Sequence, residues 1–158
     1  MGAARDDPAG ARVIPRTCVV YGQPRPKGSL RFLAHRSTGR PVPVGRNRDQ
    51  EQWAALVAVH VGGLGWTPVA GPVAVDLTFR LERPAGHYGT GRNREQIRAD
   101  APAWPSVGRV ADVDKLARSV LDALTGLAYL DDRQVVSLIA TKTWGARAGV
   151  EIRVREAP

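Results

Sequence analysis

Alternation of apolar and polar residues is sharpest at Val73, Val75, Leu77, Phe79 and Leu81, which interleave with Ala74, Asp76, Thr78 and Arg80. A period of two sends alternate side chains to opposite faces, so the run from Pro72 onward predicts a half-buried β-strand. Val150, Ile152 and Val154 alternate with Glu151, Arg153 and Arg155 in the same way. Residues 135–144 predict another strand ahead of it, with Gly145 to Gly149 able to supply a hairpin turn. The run TCVVYG, residues 17–22, predicts a short first strand closed by Gly22 and Pro24. Helical spacing appears twice. Trp53, Leu56, Val57 and Val61 mark a helix over 49–61, where Asp49 and Gln52 stand at capping-box separation and Gly62-Gly63 can stop it. His60, close to that apolar stripe, is expected to be packed rather than to act as a ligand. Leu116, Val120 and Leu124 recur every four residues over 113–125, with Gly126 as the stop.

Two segments carry no period. Residues 23–48 are rich in proline and basic residues and predict an irregular basic loop, with a short extended stretch at 30–34. Residues 83–109 form a long Gly/Pro/Arg loop that includes His87, Tyr88, Arg92, Arg94, Arg98 and Trp104. Loops of such length are functional or disordered; arginines that bind phosphates and rings that stack on bases make a DNA-contacting flap one reading, and a disordered insertion stands equally beside it. The order β-α-β-α-β-β predicts an α+β fold with a mixed sheet of about four strands and two packed helices. Residues 1–16 read as a loose tail and 17–158 as one domain, as suits a chain of 158 residues.

Composition narrows the setting. No run approaches the ~20 apolar residues of a membrane span, and the N-terminus has no signal-peptide core and carries Asp6 and Asp7. The expected location is therefore the cytoplasm. Cys18 is the only cysteine, which removes any internal disulfide or cysteine-based metal knuckle, and it reads as a small buried strand residue.

Charge changes the picture more. The net charge is +8, distributed as +7 over residues 1–50, +1 over 51–110, −2 over 111–133 and +2 over 134–158. An acidic segment inside a basic chain suits a protein that holds a polyanion at its surface and a divalent cation at its centre. Arg25, Lys27 and Arg31 in the first basic loop, with Arg92 and Arg94 in the second, are the candidate phosphate contacts; a solvated loop is the plainer alternative.

The acidic segment carries the candidate chemistry. Asp112 and Asp114 stand two apart just before the second helix, where an extended backbone turns both carboxylates to one side. Two close carboxylates repel unless a cation lies between them, and the helix N-terminus offers partial relief. After the helix the chain returns through Gly126 to Asp131-Asp132, which can bring back a third carboxylate. Three hard oxygen ligands describe a Mg²⁺ or Mn²⁺ site better than zinc. Arg118, one turn after Asp114, can add positive charge beside a phosphate. Taken singly, Asp114 as an N-cap, Asp131-Asp132 as a turn and Arg118 as an i, i+4 ion-pair partner remain the simpler readings.

The segment DVDKLARSVLDALTGLAYLDDRQVV, from Asp112 to Val136, resembles the signature of the RusA family of Holliday-junction resolvases. That signature runs D-x-D-N-L-x-K, then a D-A-L helix end, then D-D-x-Q-V, and the match spans 25 contiguous residues. The resemblance implies a small homodimeric nuclease, found in bacteria and phages, that cuts four-way DNA junctions by paired symmetric nicks with Mg²⁺, Mn²⁺ being able to substitute. It implies Asp112, Asp114 and Asp132 as catalytic metal ligands. The family's catalytic lysine position holds Arg118, which keeps the charge but does not readily release a proton. Its asparagine position holds Lys115, which is expected to lie near the DNA and to share the lysine's role. A DNA-binding protein without activity, and a broader flap or fork nuclease, are the competing readings.

Overall fold

In the computed structural model, residues 15–28, 31–34, 37–44, 48–108 and 110–157 are described. Most of the expected tail, 1–14, and Leu30 and Arg109 lie outside the described residues, as does the Arg31 side chain.

The first strand, β1 (Arg16–Tyr21), is followed by a two-stranded antiparallel pair, β2 (Arg31–Ala34) and β3 (Pro41–Val44). Part of the segment expected to be an irregular loop thus pairs as a hairpin. Its prolines lie on one strand of an isolated two-stranded ribbon, where one side of the backbone needs no ladder bond, so the turn-rich composition hid the pairing. Helix α1 (Arg48–Gly63), strand β4 (Val73–Glu82), helix α2 (Val113–Leu124) and strands β5 (Val135–Gly145) and β6 (Gly149–Glu156) complete the order. The main sheet runs β1-β6-β4-β5, antiparallel except for the parallel β4–β5 pair. This is the α+β arrangement of four strands and two helices that the periodicity predicted.

The β4 alternation resolves as expected. Val73, Val75, Leu77, Phe79 and Leu81 are buried, and Val75, Leu77 and Phe79 lie opposite Val154, Ile152 and Val150 of β6. Trp53, Val57 and Val61 from α1 and Leu116, Val120 and Leu124 from α2 close the same core. Burying each of these side chains contributes roughly 1.5–3 kcal/mol, which is what holds α2, and the carboxylates at its ends, against the sheet. The opposite face is polar, with Arg80 paired to Glu151 and Arg155 lying 3.8 Å from Asp76. Cys18 is buried, as expected.

Two local expectations fail on α1. The helix begins at Arg48, so Asp49 sits inside its first turn and pairs with Arg25 at 3.5 Å instead of capping with Gln52. His60 is exposed rather than packed, because the buried stripe at Trp53, Val57 and Val61 passes it by.

The 83–109 segment is anchored. Arg83 Nη1 and Trp144 Nε1 of β5 both donate to the Pro102 carbonyl, at 2.9 and 3.0 Å. Arg98 and Gly89 donate backbone hydrogen bonds to His87 and Gln96, folding 87–98 back on itself. Residues 91–100, including Arg92 and Arg94, are exposed.

Candidate metal centre and its cationic rim

Helix α2 starts after Asp112, whose backbone is extended (φ −64°, ψ 138°) and whose side chain makes no capping bond. Its carboxylate instead accepts from Lys115 Nζ at 2.6 Å, one helical turn on, and that ion pair pulls its pKa below the usual carboxylate range while raising that of Lys115. Lys142 of β5 donates to the neighbouring Ala111 carbonyl at 2.9 Å, fixing the approach to the helix.

Asp114, Arg118 and Asp122 lie along the exposed side of α2 and face Asp132, Val135 and Leu138 across an open concavity of about 410 Å³. Leu121 and Ala117 form part of its wall. Opposite α2, the turn before β5 is built by Asp131 and Gln134. Asp131 caps the turn and is held by Arg133, which donates from its backbone N and from Nε and Nη2, each at 2.9 Å. These bonds hold the Asp131 carboxyl far below the usual carboxylate range. Asp131 is thus occupied locally, and its neighbour Asp132 is the one that reaches the concavity.

The residue that makes this turn stand where it does is Gln134. Its Oε1 accepts from the backbone N–H of Leu130 and of Asp131, both at 2.8 Å. Its Nε2 donates to the carbonyls of Val69 and Gly71, at 2.9 and 2.7 Å. One side chain therefore satisfies four backbone groups and sets the Asp-Asp turn against the chain entering β4. Tyr129, fully buried, adds a bond from its hydroxyl to Leu121 O at 2.8 Å, tying the same connection to the end of α2. Burial pushes its phenol pKa up. Spacing alone flagged neither role; the only trace of Gln134 was its place in the D-D-x-Q-V pattern.

Of the sequence-derived carboxylates, the structure brings Asp114 and Asp132 together and leaves Asp112 turned to Lys115. Among the described residues no group of three acidic, histidine or cysteine side chains is gathered closely enough to hold a metal. The donor set still fits a hard divalent cation in kind: carboxylates from two elements on one open wall, with no sulfur or imidazole. Asp122 is an additional carboxylate on that wall.

The cations divide into held and free. Among the described residues Arg118 makes no ion pair, so the i, i+4 partner role is not realised. Lys27 comes from the first basic loop of its own chain: its backbone N–H donates to Lys115 O at 2.9 Å and its ammonium pairs with Asp122. Arg25 is engaged with Asp49 and Lys115 with Asp112, whereas Arg92 and Arg94 are exposed without ion-pair partners among the described residues.

Comparison with known proteins adds two findings. A family model described as endodeoxyribonuclease RusA matches residues 22–155. The chain is also 30% identical over 141 residues to the uncharacterized protein YqaN of Bacillus subtilis (strain 168), an alignment covering 87% of this chain and 93% of that one.

Proposed function

The chain belongs to the RusA family of endodeoxyribonucleases, and on that premise we propose that it is a Mg²⁺-dependent, structure-specific endonuclease resolving four-way DNA junctions by paired symmetric nicks in the bacterial or phage-infected cell. The observation that carries this reading is the open concavity where Asp114 and Asp132 meet the guanidinium of Arg118. Asp114 and Asp132 would hold the cation, with Asp112 joining them once its side chain leaves Lys115. Mn²⁺ fits the same oxygen donors. Bound there, the ion supplies charge neutralisation at the scissile phosphate and a more acidic water.

The chain's own groups account for the rest. Arg118 faces the phosphate as a fixed charge, since a guanidinium does not give up its proton near neutral pH. A proton for the leaving oxygen must then come from another group or from solvent, and the Lys27 ammonium, held on Asp122 at the same wall, is the lysine placed to give one.

Paired nicks require two sites, and exposed apolar residues at β5 support a second copy docking there. Leu130, Val136, Leu138 and Ile139 are 44–63% exposed on and just before β5, an edge strand bonded, among the described residues, to β4 alone. Apolar residues along an unpaired edge favour association. Leu138 also lines the carboxylate concavity, so a homodimer formed there would set its two sites beside the interface. No helix among the described residues is long and apolar enough to cross a membrane.

Cleavage of a labelled synthetic four-way junction, with and without Mg²⁺, tests the reading. Wild-type protein is expected to make symmetric metal-dependent nicks. Asp114→Asn should lower the rate at least about a hundredfold while junction binding persists, and Lys27→Gln should slow it about tenfold. Tight binding without nicks in both Mg²⁺ and Mn²⁺ would overturn nuclease activity and favour a DNA-binding protein, with Arg118 in the lysine position as the reason.

A further inference from the structure

A second concavity, of about 620 Å³, is lined in part by Val110 and Ala111, the residues just before Asp112. Its walls come from three places: Gln23 to Pro26 of the first basic loop, Leu81, Glu82, Pro84 and His87 at and beyond the end of β4, and Val107, Gly108, Val110 and Ala111, with Trp144 of β5 completing the lining. Ala111 lines it and Asp112 follows directly; Pro26 lines it, and Lys27 follows with its N–H on Lys115 O. The cavity and the candidate cation site therefore share their supports without sharing residues.

We propose that this cavity receives one unstacked nucleobase of the junction, next to the phosphate that is cut; the proposal rests on the nuclease reading above. Its size falls in the ~300–1,000 Å³ range of small-ligand sites. The lining has the two kinds of surface a base requires. Trp144, His87, Pro24, Pro26 and Pro84 provide flat or apolar faces, while Gln23 and Glu82 can meet the polar edge.

The aromatic pair is held in place. Trp144 is fixed by its bond to Pro102 O and has the Arg83 guanidinium 5.2 Å from its ring centroid. His87 stands edge-on to it, with centroids 5.4 Å apart and planes at 84°. His87 Nδ1 is buried and has no hydrogen-bond partner among the described residues, so what His87 offers a base is the face or edge of its ring rather than that nitrogen. A junction suits the device because nucleotides at the exchange point have lost part of their stacking, which lowers the cost of extrusion.

The experiment measures affinity in EDTA, where no strand is cut, for four-way junctions carrying one abasic residue at each position around the exchange point. Wild-type protein is expected to bind about tenfold more weakly when one particular base is missing, equivalent to about 1.4 kcal/mol, and within about twofold of normal at the other positions. His87→Ala should bind the intact junction about as weakly as wild type binds that abasic one, and should lose no further affinity on it. Trp144→Phe, which keeps a ring, should retain most of the preference. Unchanged duplex affinity and melting temperature in His87→Ala would separate loss of the pocket from loss of the fold. Equal affinity for all abasic junctions, or an unaltered pattern in His87→Ala, would overturn the pocket. Because the readout is binding, a protein that discriminates between bases but does not nick refutes only the nuclease reading, and one that nicks without discriminating refutes only the pocket.

Discussion

Gln134 shows how much of a site can hang on one side chain. Removing it strands two backbone N–H groups and two carbonyls at once, at a part-buried position. Each unsatisfied buried group costs roughly 1–3 kcal/mol, and some regain water here, so Gln134→Ala is expected to destabilise by about 2–4 kcal/mol. A fall in melting temperature on the order of 10 °C would follow. Gln134→Glu should not rescue it, since an anionic oxygen would face the Val69 and Gly71 carbonyls; thermal denaturation of both variants checks this. Cys18 gives a pH prediction of its own. Burial pushes its thiol up to about 11 from an ordinary value of 9.0, so the folded state keeps a proton that the unfolded state releases. The protonated thiol's contribution is complete below pH 9 and lost as pH rises towards 11. Stability should therefore fall across that window by on the order of 2 kcal/mol more in wild type than in Cys18→Ala, as read from urea denaturation at pH 8 and 11.

At the scale of elements, α2 and β5 do most of the positioning. The α2 stripe of Leu116, Val120 and Leu124 faces the core, which turns Asp114, Arg118 and Asp122 outward at their own helical spacing. Gly126, with φ +79°, lets the chain reverse immediately after the helix, where a side chain would be strained. The site's opposite wall then depends on β5, whose outer edge has no strand partner among the described residues. If that edge is the dimer surface, Leu138→Arg with Ile139→Lys should shift the protein from dimer to monomer in sedimentation equilibrium. Junction nicking should then lose its pairing, leaving single nicks. A double variant that stays dimeric would place the interface elsewhere. The 83–109 segment belongs to this scale too. Its composition left a flap and a disordered insertion equally open, and contacts from Arg83 and Trp144 onto Pro102, which no local pattern announces, hold the segment in an ordered course.

For the whole molecule the decisive quantity is charge. A net +8 predicts salt-sensitive binding to DNA, and the exposed Arg92 and Arg94 are expected to contribute to it directly. Replacing both by alanine should reduce the slope of log affinity against log salt by roughly 1.8 on duplex arms, two phosphate contacts at about 0.9 each. An unchanged slope would remove the segment from the DNA surface. The sequence by itself determined the four strands of the main sheet, the two helices and their order, because periods of two and 3.6 record which face of each element is buried. The family was legible there too, through the resemblance of the Asp112 to Val136 segment to its signature, and the family match over residues 22–155 bears that out. What only the tertiary structure decided are relations across the chain: that Arg133 takes up Asp131 while Asp132, which the resemblance had already singled out, lines one concavity with Asp114, that Asp112 turns to Lys115, that Lys27 arrives beside Asp122, and that two prolines of the basic loop lie in a hairpin strand. Each depends on a competition between nearby partners, such as Arg133 for Asp131 or Arg25 for Asp49, and that competition is settled by distances in three dimensions which spacing along the chain does not carry.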